Sequence, residues 1–264
     1  GVPPGETSGC ANFCQNRQME RLIRGCMARE KVNRYQSAGE VERALRELPE
    51  LISKEQAIES LTVVFAGAKP GIGTTHAALG ISNFLTRNGC PALYQEAYDT
   101  DAARVLIRTA GLTADSSGVY HFGCSHIRPY YGEAVKLPYL YFPIIIKDTG
   151  CRWQTGDVLP EADFLVLVCG GKWWENDSAL LAARSLKQRG KLILLFNHIS
   201  GGIRLKLPAD LEKVPRLFLP FFPNPFKANR EADACFGEIM LAGTGEERWK
   251  RKKKRLERFR LKAD

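Results

Sequence analysis

Residues 61–85, LTVVFAGAKPGIGTTHAALGISNFL, join an apolar run to a glycine-rich loop and pass at once into a helix-forming stretch. A strand that turns through glycines into a helix N-terminus builds a phosphate cradle. Gly71 and Gly73 let the backbone approach an anion closely, so that N–H groups around Ile72, Thr74 and Thr75 and the positive end of the helix dipole converge on it. Thr75 stands where a hydroxyl ligand to Mg²⁺ belongs. Set against the pattern G-x-x-x-x-G-K-[ST], the loop carries Ala68 at the first glycine and Thr74 at the lysine. The plain alternative is a glycine-rich strand-to-helix turn that holds no ligand.

Strand and helix patterns alternate downstream. PALYQEAY (91–98) reads as a second strand ending in a carboxylate, and YLYFPIIIKDTG (139–150) as a third, of the buried parallel type. ADFLVLVCGG (162–171) and KLILLFNHIS (191–200) bracket a helix over 175–188, and residues 214–226 form a last short strand with a proline-rich loop. This spacing predicts an α/β fold with a doubly wound, mostly parallel sheet, whose ligands lie beyond the carboxyl ends of the strands. Asp148 ends a strand expected beside the glycine loop, where an acid holds Mg²⁺ directly or through water; Gly150 follows, with an N–H to offer a terminal phosphate. Glu96 ends the second strand, and Asp99 and Asp101 compete with it; each also reads as a turn acid.

The loop AKPGIGTTH resembles the deviant Walker A loop of the MinD/ParA family of P-loop ATPases, whose usual form, GKGGxGKTT, has an extra lysine early in the loop. The resemblance puts Lys69 at that lysine, which in the family reaches across a dimer interface to the partner's phosphates. It implies ATP and Mg²⁺ as cofactors and a homodimer through the nucleotide face. Lys69, Gly71, Ile72, Gly73, Thr74, Thr75 and Gly150 would then surround the phosphates, with Thr75 and Asp148 on the metal. Glu96 falls near an aspartate that organises Mg²⁺ or the attacking water, so Lys69, Glu96 and Asp148 are the candidate catalytic residues. Asn197 matches the asparagine that contacts adenine, although it also reads as a turn residue at a strand end. In relatives the loop within 214–226 lines the base pocket. Thr74 in place of the second lysine is similar to atypical members that accompany pilus-assembly and secretion machinery, which look better suited to binding ATP than to rapid turnover.

At 264 residues and 44% hydrophobic content the chain can bury one substantial core plus an appendage, and no apolar run reaches the ~18 residues of a membrane span. The composition fits an expected cytoplasmic location, with cysteines that read as reduced packing residues. The net charge of +9 has one source. Residues 248–262, RWKRKKKRLERFRLK, hold ten of the 38 Lys/Arg and one of the 29 Asp/Glu, which leaves 28 of each sign elsewhere. Trp249, Leu256 and Phe259 share a helical face, so this tail suits an anionic surface at the inner face of a membrane. It also suits the flank of a following transmembrane helix, nucleic acid, or a solvated linker. His121, Cys124 and His126 lie in a long loop at H-x-x-C-x-H, with no fourth metal ligand evident. Trp173 and Trp174, after the fourth strand, are expected to be partly exposed and to mark either a contact surface or a domain edge.

The N-terminal part has another character. Residues 19–48 place apolar side chains at helical spacing in two runs, and Ser37 with Glu40 has capping-box spacing at the start of the second. The segment resembles the last two helices of the eukaryotic-type Ser/Thr kinase catalytic domain: Arg34, Tyr35, Ser37, Ala38, Glu40 and Leu48 fall in register, and Val32 replaces the usual proline. The resemblance implies a piece of a longer polypeptide, a kinase fused to a nucleotide-binding domain, in which these helices phosphorylate nothing alone. The expected organisation is a kinase-like remnant over 1–50, a linker over 51–60, a nucleotide-binding domain over 61–244 and a basic tail over 245–264. The expected function is ATP binding with weak or absent hydrolysis as an assembly or localisation switch. The alternatives are a nucleotide-free scaffold that couples a Ser/Thr kinase to membrane partners, and kinase activity of the full-length parent.

Overall fold

The apolar run from Leu61 becomes the centre of a sheet. In the computed structural model of the chain, residues 22, 25–28, 30, 32, 34–46, 60–132, 142–154, 162–199 and 207–251 are described. The chain divides into two units, Gly1–Glu59 and Ser60–Asp264. The second unit carries eight strands: β1 (Leu61–Gly67), β2 (Ala92–Glu96), β3 (Tyr120–Phe122), β4 (Ser125–Arg128), β5 (Ile144–Asp148), β6 (Phe164–Cys169), β7 (Leu192–Asn197) and β8 (Arg216–Leu219). Their spatial order is β3-β4-β2-β5-β1-β6-β7-β8, and every neighbouring pair is parallel except β3 with β4. From β1 the chain skips to β2, reaches the edge in β3 and β4, returns to place β5 between β1 and β2, and then builds β6, β7 and β8 outward on the other side of β1, a doubly wound α/β architecture.

All seven residues of β1 are buried, because the strand is covered on both faces. Leu61, Val63 and Phe65 enter a core that also holds side chains of α1 (Thr74–Arg87) and α4 (Arg230–Thr244). Val64 and Ala66 enter another, with α3 (Asn176–Lys187) against it. Helices α1 and α4 approach closely at Gly80, where a Cβ would stand 2.8 Å from Phe236 and 2.9 Å from Phe222. Asn229 caps α4 by accepting from the Ala232 N–H at 3.0 Å, and Arg87 of α1 pairs with Asp233 in its first turn at 2.9 Å. The short α2 (Ala102–Thr109) follows β2.

The long loop expected to carry His121, Cys124 and His126 contains sheet instead. Tyr120–Phe122 and Ser125–Arg128 form a hairpin whose second strand extends the sheet beside β2. Gly123, at φ 60°, supplies the turn conformation that an L side chain rarely adopts. The histidines serve this hairpin: His121 Nδ1 lies 3.1 Å from His126 Nδ1 and His121 Nε2 lies 2.9 Å from Asp115 Oδ2, while Cys124 Sγ accepts from Asn83. Burial, aided by the His121 charge and opposed by Asp115, lowers His126 from the ordinary 6.5 to about 4. A base depressed on folding stabilises fully above its unfolded value, and that stability is lost as pH falls from about 6.5 towards 4. After allowance for partial exposure the contribution is about 1–2 kcal/mol. Urea unfolding across that window is expected to show His126→Phe with a shallower pH slope than wild type; an equal slope would remove His126 as its source.

The first unit, taken by itself, shows the expected start of its second helix. Residues 38–46 are helical, the Glu40 N–H donates to Ser37 Oγ at 3.2 Å, and Glu40 Oε2 accepts from the Gln36 N–H at 2.7 Å. The Tyr35 N–H donates to Gly25 O at 3.3 Å, and a Cβ on Gly25 would meet the Tyr35 ring at 2.7 Å. Leu48, Leu256 and Phe259 lie outside the described residues. The tail begins differently from its expected role: Trp249 packs on the sheet's core, and Arg248 pairs with Asp163 at 2.8 Å. Among the described residues no helix is long and apolar enough to cross a membrane.

Candidate functional site

The carboxyl ends of β1, β5, β6 and β7 bring one group of residues together. The loop after β1 runs through Gly71 (φ 75°) and Gly73 (φ 91°) into α1, whose first described backbone bond is donated by Ala77 to Gly73 O at 3.0 Å. The preceding N–H groups of the helix therefore lack an intrahelical acceptor, which is the anion-binding arrangement of a helix N-terminus. At Gly71 a Cβ would meet nothing within 4 Å, so the loop is open on that side. At Gly73 a side chain would collide with the Asn197 amide.

Thr75 and Asp148, distant in sequence, meet here. Thr75 Oγ1 donates to Asp148 Oδ2 at 2.6 Å, Tyr94 Oη donates to the same oxygen at 2.9 Å, and the Gly150 N–H donates to Asp148 Oδ1 at 2.8 Å. Asp148 is fully buried; burial raises its pKa, against the three donors that favour the charged form. Burial also holds the Tyr94 hydroxyl well above its ordinary range, with Asp148 and Glu96 adding to the rise, so it remains a donor. A hydroxyl beside a carboxylate at a helix N-terminus is an all-oxygen donor set, the chemistry that suits Mg²⁺. The Gly150 N–H, expected to face a terminal phosphate, donates to Asp148 Oδ1 here. The strap is tight on its other side as well, since the Thr149 N–H and hydroxyl both donate to Phe65 O at 3.0 Å.

The remaining expected residues occupy distinct places. Thr74 is buried, with its hydroxyl packed over Gly67, where a Cβ would overlap it. Ile72 is buried in the core that contains α1, and its carbonyl accepts from Asn197 Nδ2 at 2.9 Å. Asn197 Oδ1 accepts from the His198 N–H at 3.1 Å, so this amide braces the glycine loop from β7. Glu96 is buried and anchors backbone: Oε1 accepts from Thr100 Oγ1 at 2.6 Å and from the Ala103 N–H at 3.0 Å, and Oε2 from the Tyr130 N–H at 3.2 Å. With its oxygens so engaged it holds the start of α2 in place. Asp99 pairs with Arg104 at 3.2 Å, and Asp101 (φ 61°) stands at the N-terminal boundary of α2 without a side-chain capping bond.

Lys69 has a partner that the sequence did not single out. Its Nζ lies 2.9 Å from Oε1 of Glu175, a buried carboxylate in the turn Trp173–Glu175 after β6, whose Oε2 accepts from the Lys172 N–H at 3.1 Å. Burial alone would raise Glu175; Lys69 and the Lys172 N–H bring it below the ordinary carboxylate range. Gly170 has no room for a side chain there, because a Cβ would overlap the Glu175 carboxylate. On the same turn Trp173 and Trp174 are 90% and 74% exposed, more open than their sequence context implied. Glu175→Gln is expected to release Lys69, read as severalfold faster acylation of that lysine by an amine-reactive reagent in peptide maps. An unchanged rate would show that the pair does not restrain the ammonium.

No protein-family profile matches the chain, and no curated protein does. Among solved structures it is similar to a plasmid partition protein of Borrelia burgdorferi B31 bound to AMPPNP, at 15% identity and TM-score 0.48, over 70% of this chain and 98% of that one. It is also similar to the septum site-determining protein MinD of Pyrococcus horikoshii OT3 complexed with Mg-ADP, at 15% identity and TM-score 0.44, over 69% and 94%. A third likeness is the kinase domain of the Escherichia coli tyrosine kinase ETK, at 15% identity and TM-score 0.37, over 68% and 89%. Likenesses this remote assign no residue a role; the fold stands on the strand order of the chain itself.

Proposed function

We propose that the domain over 61–244 binds ATP with Mg²⁺ and uses nucleotide occupancy as an assembly or localisation switch, with weak or absent hydrolysis. The observation that carries this reading is the 2.6 Å contact between Thr75 Oγ1 and Asp148 Oδ2 at the N-terminus of α1, beneath the glycine loop. Gly71, Ile72, Gly73, Thr74 and Thr75 would hold the phosphates through backbone N–H groups, and Thr75 and Asp148 would hold the metal. Bound Mg²⁺ would neutralise phosphate charge. Thr74 brings no cation to the loop, and Glu96 is occupied by backbone. Both features favour binding over turnover.

Lys69 is the charge left to meet a phosphate, and it has first to leave Glu175. Its transfer to the nucleotide of a second copy would couple occupancy to dimerisation, with the exposed Trp173 and Trp174 on the turn that carries Glu175. Residues 252–262 would supply contact with an anionic membrane surface or nucleic acid. Residues 1–50 we read as the end of a Ser/Thr kinase-type lobe, supported by the Ser37 cap and by Tyr35 seated on Gly25. Sequence upstream of Gly1 containing the kinase loops would establish that reading, and its absence there would remove it.

The competing reading is a nucleotide-free scaffold, favoured by Thr74 at the lysine position and by the Lys69–Glu175 pair. Calorimetric titration of the full chain with Mg²⁺-ATP and Mg²⁺-ADP decides between them. Micromolar binding that Thr75→Ala removes is the expected result, followed by a nucleotide-dependent change in mass by light scattering. No binding at millimolar nucleotide would leave the scaffold.

A further inference from the structure

Tyr94 has a group that packing does not require. Its ring belongs to the core on the α1 face of the sheet, where a phenylalanine would fill the same space. The residue is completely buried, and a hydroxyl taken out of water without a partner is costly. That hydroxyl donates to Asp148 Oδ2 at 2.9 Å and also lies within hydrogen-bonding reach of the Thr75 hydroxyl. That oxygen already accepts from Thr75, and the other carboxylate oxygen accepts from the Gly150 N–H. The carboxylate is therefore held from three segments: β2 through Tyr94, α1 through Thr75 and the strap after β5 through Gly150. Thr75 is the donor whose oxygen would also have to serve the metal, and the Gly150 strap is the donor whose N–H would also serve a phosphate. Tyr94, which meets both Thr75 and Asp148, is neither a proposed metal ligand nor a proposed phosphate donor.

We infer that Tyr94 is a positioning residue that sets the divalent-cation affinity of the Thr75–Asp148 site by holding Asp148 in its metal-binding orientation from the neighbouring strand. This rests on the nucleotide-binding reading above. Partners that orient metal ligands typically contribute 10–100-fold in metal affinity. Removing the hydroxyl leaves Asp148 with two donors, both of which the bound state would draw upon, so its orientation would have to be restored by the metal itself.

The test is a Mg²⁺ titration of ATP binding by the full chain, compared with ATP binding in EDTA. Tyr94→Phe is expected to raise the Mg²⁺ concentration for half-saturation by about tenfold while ATP affinity in EDTA stays within about twofold. Ile127→Val is the packing control, because Ile127 is the β4 partner of Tyr94 in register, is fully buried and makes no polar contact with Asp148. It is expected to keep the wild-type half-saturation, and both variants should keep a cooperative thermal transition without metal. A wild-type Mg²⁺ half-saturation in Tyr94→Phe would overturn the inference with the nucleotide reading intact. An equal rise in Ile127→Val would overturn it too, by assigning the effect to packing. Wild-type protein that binds ATP no better with Mg²⁺ than in EDTA would overturn the reading of the site, and the role of Tyr94 with it.

Discussion

Asp148→Ala is expected to abolish Mg²⁺-dependent ATP binding, weakening it by at least about a hundredfold, because it removes a proposed metal ligand outright. The substitution has a structural cost as well. Asp148 Oδ2 is the recorded acceptor for the buried Tyr94 hydroxyl and for Thr75, and Asp148 Oδ1 for the Gly150 N–H. An orphaned buried donor costs about 1–3 kcal/mol, so the variant should also unfold at lower denaturant. The double variant Tyr94→Phe with Asp148→Ala separates the two effects. It should recover part of the stability, since no phenol is left unpaired, and none of the Mg²⁺-dependent binding. Recovery of binding in the double variant would sink the assignment of Asp148 to the metal.

Phe236→Ala is expected to cost the fold about 3–5 kcal/mol, the range for emptying a buried aromatic site. Phe236 is 1% exposed, meets Phe222 edge-on at 5.7 Å between ring centroids and lies over Gly80 of α1. The ring is also bordered by Phe84, at 6.0 Å between centroids, so the gap would open between two aromatic side chains and helix backbone. The loss should reach the site through Phe222, whose carbonyl accepts from His76 Nε2 at 2.7 Å on the first turn of α1. Phe236→Leu, which keeps most of the apolar volume, should lose less, about 1–2 kcal/mol. Guanidinium unfolding checks both; equal losses for Ala and Leu would show that the ring's volume does not carry the contact.

The main strands were legible because they are buried on both faces and so read as continuous apolar runs between turn signals. FLVLVC and LILLFN, residues 164–169 and 192–197, are such runs, and both became strands buried throughout. The β3–β4 hairpin was not legible. Tyr120–Phe122 is half-buried and its pattern carries histidines that invite a chemical reading; the clue was Gly123 between two short alternating segments. Trp249 was misleading for the opposite reason. Its basic neighbours dominate any reading of the tail, while the ring itself is held by the core.

Within the site, chain order alone brought Gly71, Gly73 and Thr75 together, since a strand, a glycine loop and a helix N-terminus are contiguous and their backbone geometry is local. Asp148 was legible as the last residue of its strand, while its place beside Thr75 depends on β5 pairing with β1. The carboxylates diverge through distant contacts: Glu96 was drawn to the start of α2 and to Tyr130, and Glu175 came to hold Lys69. Neither use has a short-range signal, because a charge buried by packing takes whichever donor the packing brings within reach. Sequence by itself determined the alternation of strand and helix and the phosphate-binding character of the first turn. Only the tertiary structure decided which acid faces Thr75, which one holds backbone and where Lys69 rests, because those depend on the order in which parallel strands lie side by side.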